Sequence, residues 1–147
     1  MIGGTQISTE MKEIDCFLFK DGFWKQMPVC AKISQTKGSR PCLSQCGKFV
    51  YAYSGVSLIK QRNRILKMCT TDMYKMLIDS TSGIREVKKL DSSEIAGRAY
   101  FAMAEANQLL YVTGGRNQIG ALLGDINVFD IANESWRLTQ LVSKETH

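Results

Sequence analysis

With 147 residues, 44% of them hydrophobic and 22% charged, 12 Gly, 2 Pro and a net charge of +5, the chain has the make-up of one folded domain, which excludes intrinsic disorder. It is long enough to bury a core without disulfides or a structural metal. Its longest apolar stretch, Phe49 to Ile59, is about half a membrane span and is interrupted by Ser54, Gly55 and Ser57, so no transmembrane helix is expected.

The amino terminus, Met1-Ile2-Gly3-Gly4-Thr5, has neither the basic start nor the apolar run of a secretory signal, and the expected location is cytoplasmic. After Gly3-Gly4 come two apolar segments, Glu13 to Phe19 and Trp24 to Pro28, each short enough for a strand. The middle of the chain predicts four more strands, at Arg40 to Ser44, Lys48 to Gly55, Asp72 to Asp79 and Ile84 to Leu90. The last third predicts another four, at Arg98 to Ala104, Gln108 to Gly115, Asp125 to Asp130 and Trp136 to Leu141. Alanines between Ile95 and Leu110 give that stretch helix propensity, but the Leu-Leu-Tyr-Val-Thr-Gly-Gly segment and its register against the other copies favour strands.

The segments repeat. From the second glycine to the tryptophan is 20 residues in the first copy, Gly4 to Trp24, and 21 in the last, Gly115 to Trp136. The middle copy keeps the spacing from Asp79 to Leu90 that the last shows from Asp130 to Leu141, but Ser54 stands for the first glycine of its pair and Arg85 for the tryptophan. A glycine pair ending a buried strand allows positive φ and close approach of backbone. Strands such as Leu109 to Val112 and Phe49 to Tyr53, apolar on both alternating faces, are expected to be covered on both sides. Trp24 and Trp136 are expected to fill the spaces between sheets.

These residues resemble the kelch motif, a strand ending in Gly-Gly followed by an aromatic-rich strand and a spaced tryptophan. The resemblance implies an all-β fold of kelch-type β-propeller blades, each of four antiparallel strands, in an incomplete ring. The blades would span residues 1–28, 29–92 and 93–147, with Gly3, Gly4, Trp24, Gly55, Gly114, Gly115 and Trp136 as structural positions. Because the chain starts at the glycine turn of a repeat, it reads as a piece of a longer propeller, whose remainder or another copy would close the ring.

Catalytic signals are sparse. His147 is the one histidine, and Cys16, Cys30, Cys42, Cys46 and Cys69 form no Cys-x-x-Cys pair, so free thiols and no metal or cofactor are expected. Asp72, Asp79, Asp125 and Asp130 recur with the repeat, which favours turn caps and ion pairs over acid/base chemistry. Tyr51, Tyr53, Tyr74, Tyr100 and Tyr111 read as packing between blades. The expectation is therefore no catalytic residue.

Recognition is expected in the connections between second and third strands, at Thr5 to Lys12, Val56 to Thr71 and Arg116 to Gly124, which vary in length and chemistry on a repeated scaffold. The middle one carries Lys60, Arg62, Arg64 and Lys67 without an acid and is read as a loop or short amphipathic turn. With Arg116, Asn117 and Gln118 these are the candidate partner-binding residues. An acidic peptide or other protein partner is favoured; nucleic acid is not expected, for no aromatics interleave the charges. The resemblance implies a noncatalytic protein-interaction module, as the substrate-recognition part of a ubiquitin ligase adaptor or a cytoskeletal scaffold. The alternatives are a piece of a propeller enzyme acting on a small molecule, or weak nucleic-acid binding by residues 60–67.

Overall fold

The computed structural model describes residues 16–28, 38–39, 42–62 and 64–137. Every regular element among them is a strand, so no helix there is long and apolar enough to cross a membrane. Strands β1 (Cys16–Lys20) and β2 (Phe23–Met27) form a hairpin. Then follow β3 (Gly38–Ser39), β4 (Cys42–Cys46), β5 (Phe49–Tyr53), β6 (Val56–Gln61), β7 (Arg64–Cys69), β8 (Met73–Asp79) and β9 (Gly83–Leu90). The last four are β10 (Ala102–Ala106), β11 (Leu109–Thr113), β12 (Ile126–Asp130) and β13 (Ser135–Arg137).

Pairing is antiparallel throughout. The middle sheet runs β4-β5-β8-β9 and the last sheet β10-β11-β12-β13. A side sheet, β3-β6-β7, grows out of the middle one. Three sheets stack in chain order through two hydrophobic layers. Leu18 and Met27 of the first hairpin pack with Val50, Ala52, Met76 and Ile84 of the middle sheet. The opposite face of the middle sheet presents Tyr51, Tyr53 and Met73 to Leu110, Val112, Phe129 and Trp136 of the last. Strand alternation produces both layers, because odd and even residues of β5 emerge on opposite faces.

β5 is therefore buried on both faces, as its unbroken apolar sequence predicts. β11 differs: Leu110 and Val112 are buried while Tyr111 is half-buried and Thr113 exposed, because no sheet among the described residues lies on that side. Trp136 enters the layer between sheets, against Tyr53 at 5.5 Å and Phe129 at 5.1 Å between ring centroids. Trp24 does not. It is 60% exposed and touches Phe19 of its own hairpin at 4.9 Å, the same cross-strand pairing as Phe129 with Trp136 but without a facing sheet. β10 also starts later than its sequence suggests, at Ala102, and Tyr100 precedes it with a positive φ of 58° and 74% exposure rather than packing between sheets.

The glycine-pair turns share one backbone path. Gly114 and Gly115 have φ of 71° and 89°, and Ser54 and Gly55 have 55° and 122°, so the serine accepts the left-handed region the glycine would take without strain. Its compensation is local. Ser54 Oγ accepts from the Arg98 N–H at 2.9 Å and lies 2.7 Å from the Arg98 carbonyl and 2.5 Å from that of Thr70. Gly3 and Gly4 lie outside the described residues.

The repeated aspartates hold turns and pair with cations. Asp79 accepts from the Thr81 and Ser82 amides, both at 2.8 Å. Asp72 pairs with Lys89 at 2.5 Å. Asp130 accepts from the Ala132 and Asn133 amides at 3.0 and 3.1 Å and pairs with Arg137 at 2.5 Å. Arg137, then the Asn133 backbone and side-chain amides, hold the Asp130 carboxyl down at about 2. A depressed carboxyl contributes its stability fully above the ordinary value near ~4 and loses it as pH falls through its folded value. The Ala132 and Asn133 amide resonances are thus expected to titrate with a midpoint near 2. Asp130→Asn should remove that transition, and a midpoint near ~4 in the native protein would contradict the capped geometry.

Candidate functional site

The connection from Val56 to Thr71 is not the loop or amphipathic turn its sequence suggests. It is a β-hairpin, β6-β7, closed by the two residues between Gln61 and Arg64, with Arg62 at a φ of 52°. Two-residue hairpin connections take this left-handed backbone. The signal was weak because no glycine marks the turn. The β-branched and aliphatic residues Val56, Leu58, Ile59, Ile65 and Leu66 nevertheless favour strands.

The hairpin divides the basic residues by position. Lys60 lies in β6 opposite Ile65, Arg62 is exposed in the turn, and Arg64 and Lys67 lie in β7 opposite Gln61 and Leu58. Leu66 and Met68 are exposed large hydrophobics on the same strand.

The second candidate loop is built from its own backbone outward. Arg116 exchanges hydrogen bonds with Ala99, both at 2.9 Å, which ties the loop to the chain entering the last sheet. The Asn117 side-chain oxygen accepts from the Ile119 and Ala121 amides at 3.1 and 3.0 Å. Gly120 N–H donates to the Asn117 carbonyl at 3.0 Å. Asn117 therefore shapes the loop, Arg116 is exposed at its base, and the tip presents Ile119 and Leu122 at 86% and 77% exposure.

The two candidate segments meet. Gln118 Oε1 accepts from the Cys69 amide at 2.5 Å, across 49 positions of sequence, and the Cys69 thiol donates to the Arg116 carbonyl at 3.8 Å. Burial pushes that thiol's pKa up, keeping it protonated as a donor. Close passage of a third segment completes the junction: a Cβ on Gly97 would stand 2.6 Å from the Thr70 carbonyl oxygen and 2.8 Å from that of Cys69. The remaining candidate connection, Thr5 to Lys12, lies outside the described residues.

Residues 55–71 and 114–124 contain Lys60, Arg62, Arg64, Lys67 and Arg116 and no Asp or Glu. The two segments that meet are thus basic in sequence, with Arg62 and Arg116 exposed and Leu66, Met68, Ile119, Leu122 and Tyr100 as exposed apolar groups at or beside their junction. Ile119, Leu122 and Tyr100 were not recognisable as surface groups from sequence, since nothing local separates an exposed aliphatic or aromatic residue from a core one.

Beneath this rim lies a buried ion pair. Arg98 is fully buried, and its guanidinium meets both carboxylate oxygens of Asp125 at 2.8 and 2.7 Å and donates to the Gly114 carbonyl at 3.2 Å. Arg98, with the Asn127 amide, lowers the Asp125 pKa. Tyr53 donates to the Ala96 carbonyl at 3.1 Å, and burial pushes its hydroxyl up to about 12. These groups pin the strand entry to the glycine turn. Among the described residues, no three His, Cys, Asp or Glu side chains cluster as metal ligands. Cys46 and Cys69 are free thiols, both partly buried.

A shallow cleft of about 470 Å³ lies at the far end of the last sheet, lined by Asn107, Gln108, Leu109, Asp130, Ala132, Asn133 and Arg137. Its only carboxylate, Asp130, is already held by Arg137, Ala132 and Asn133.

Stacked four-stranded antiparallel sheets, each with a glycine-type turn after its second strand and sealed against its neighbour by interleaved aromatics, define blades of a β-propeller. Residues 97–139 match the family model of the Kelch motif. Together with the all-β architecture, in which the sheets do not close into a ring, this fits a partial kelch-repeat propeller. No curated protein matches the chain.

Proposed function

We propose that this chain is a noncatalytic protein-interaction module, with the β6-β7 hairpin and loop 116–124 as its contact surface. One observation carries this reading: the Cys69 to Gln118 hydrogen bond joins two basic segments into a single rim surface. Kelch repeats generally mediate protein–protein contacts, and a rigid stack beneath variable connections suits that use. The finer forms of the proposal are substrate recognition within a ubiquitin ligase adaptor and service as a cytoskeletal scaffold, in the cytoplasm.

Site-specific photo-crosslinking tests it. A photoreactive phenylalanine analogue is placed at Arg62, at Ile119, or at Arg85, which is exposed in β9 and away from the rim. In cell extract, discrete protein adducts are expected from positions 62 and 119, diminishing as salt is raised, with none from 85. Equal labelling from 85, or adducts removed by nuclease, would overturn the reading.

A further inference from the structure

Strand β7 is the outermost strand of its sheet; among the described residues it pairs only with β6. In an antiparallel ladder, alternate residues turn both backbone groups toward the partner and the residues between turn both away. The two-residue connection makes Gln61–Arg64 a hydrogen-bonded pair. The Thr70 N–H to Gly55 carbonyl bond at 3.0 Å continues the same phase at the other end. Arg64, Leu66 and Met68 therefore bond inward to β6, and the backbone groups of Ile65, Lys67 and Cys69 point outward. The Cys69 N–H confirms the phase, since it is the group that reaches Gln118.

We infer that the outer edge of β7 accepts an extended acidic peptide as a fourth strand, bonded at Ile65 and Lys67 and stopped at Cys69 by the Gln118 side chain. The inference rests on the proposed interaction surface and names its occupant. Edge strands are commonly protected by lysine, and a second copy of β7 would bring Arg64 and Lys67 against their like. An acidic strand instead adds to a hairpin and loop whose sequence carries Lys60, Arg62, Arg64, Lys67 and Arg116 and no carboxylate, and strand alternation sets its acids on the face that positions 65 and 67 share with position 60. Apolar residues alternating with its acids would lie beside Leu66 and Met68, which are exposed on the accepting strand. Main-chain bonds supply affinity in such strand addition, and side-chain alternation supplies specificity.

The probe is the amidated heptapeptide EVEVEVE carrying an amino-terminal fluorophore, titrated with the whole chain by anisotropy and followed by residue-resolved amide hydrogen exchange. Saturable binding is expected, with new protection of the Ile65 and Lys67 amides and little change at Leu66 and Met68, which are already bonded. Lys67→Pro removes the outward N–H without breaking the β6 ladder and should bind roughly tenfold more weakly than Lys67→Gln, which removes only the charge. Binding with protection confined to residues 116–122 would overturn the edge inference and leave the interaction surface standing. Absence of binding at millimolar peptide would overturn the inference also, and the crosslinking at Arg62 and Ile119 would then decide separately whether the surface binds protein.

Discussion

Replacing Trp136 by alanine is expected to lower stability by about 4 kcal/mol, a large share of what a domain of this size possesses. The indole is 9% exposed and lies between sheets, edge-on to Tyr53 and Phe129 at interplanar angles of 60° and 64°. Truncation would leave a cavity bounded by β5, β11 and β12, whose backbones are fixed by ladders on both sides and cannot collapse into it. Trp136→Phe should recover most of the loss, because Nε1 has no hydrogen-bond partner among the described residues and deleting it leaves no polar group stranded. Trp24→Ala should cost under ~1 kcal/mol, since that ring is already mostly in water. Denaturant unfolding monitored by circular dichroism measures all three. Equal losses for the two alanine variants would show that the two tryptophans occupy the same environment, against the structure.

Arg98→Ala is the second large effect, at about 3 kcal/mol. The arginine side chain is 1% exposed while that of Asp125 is 29% exposed. Water can therefore resolvate the orphaned carboxylate in part, which places the cost at the lower end for a broken buried pair. The Gly114 carbonyl loses a donor in the same step. A double-mutant cycle with Asp125→Ala separates the pair from the burial of the arginine stem, and the coupling should be at least ~1 kcal/mol. Since the pairing lowers the Asp125 carboxyl, its stabilisation is present above the ordinary carboxylate range and disappears as pH falls below it. The deficit of Arg98→Ala should accordingly shrink in acid; an unchanged deficit would assign the effect to packing alone.

The repeat made much of the architecture readable in advance. β5, β8, β11 and β12 fall where short apolar runs sit between turn residues, and Ser54-Gly55 follows the same path as Gly114-Gly115 although one glycine is missing. The basic residues of the rim were readable too, as a charge run without acids. Their union was not. Cys69 and Gln118 come together only because two sheets stack, and no local pattern reports a contact across 49 positions.

The amino-acid order by itself determined strand positions, turn chemistry and the spacing from glycine to tryptophan, because each depends on near neighbours and on the two-residue alternation of a strand. Tertiary structure alone decided which faces those strands bury. Phe129 and Trp136 are covered while Phe19 and Trp24, paired across their strands in the same way, stand open, and β11 is shielded on one side only. Burial belongs to a pair of surfaces, and a sequence specifies its own surface without specifying what lies opposite.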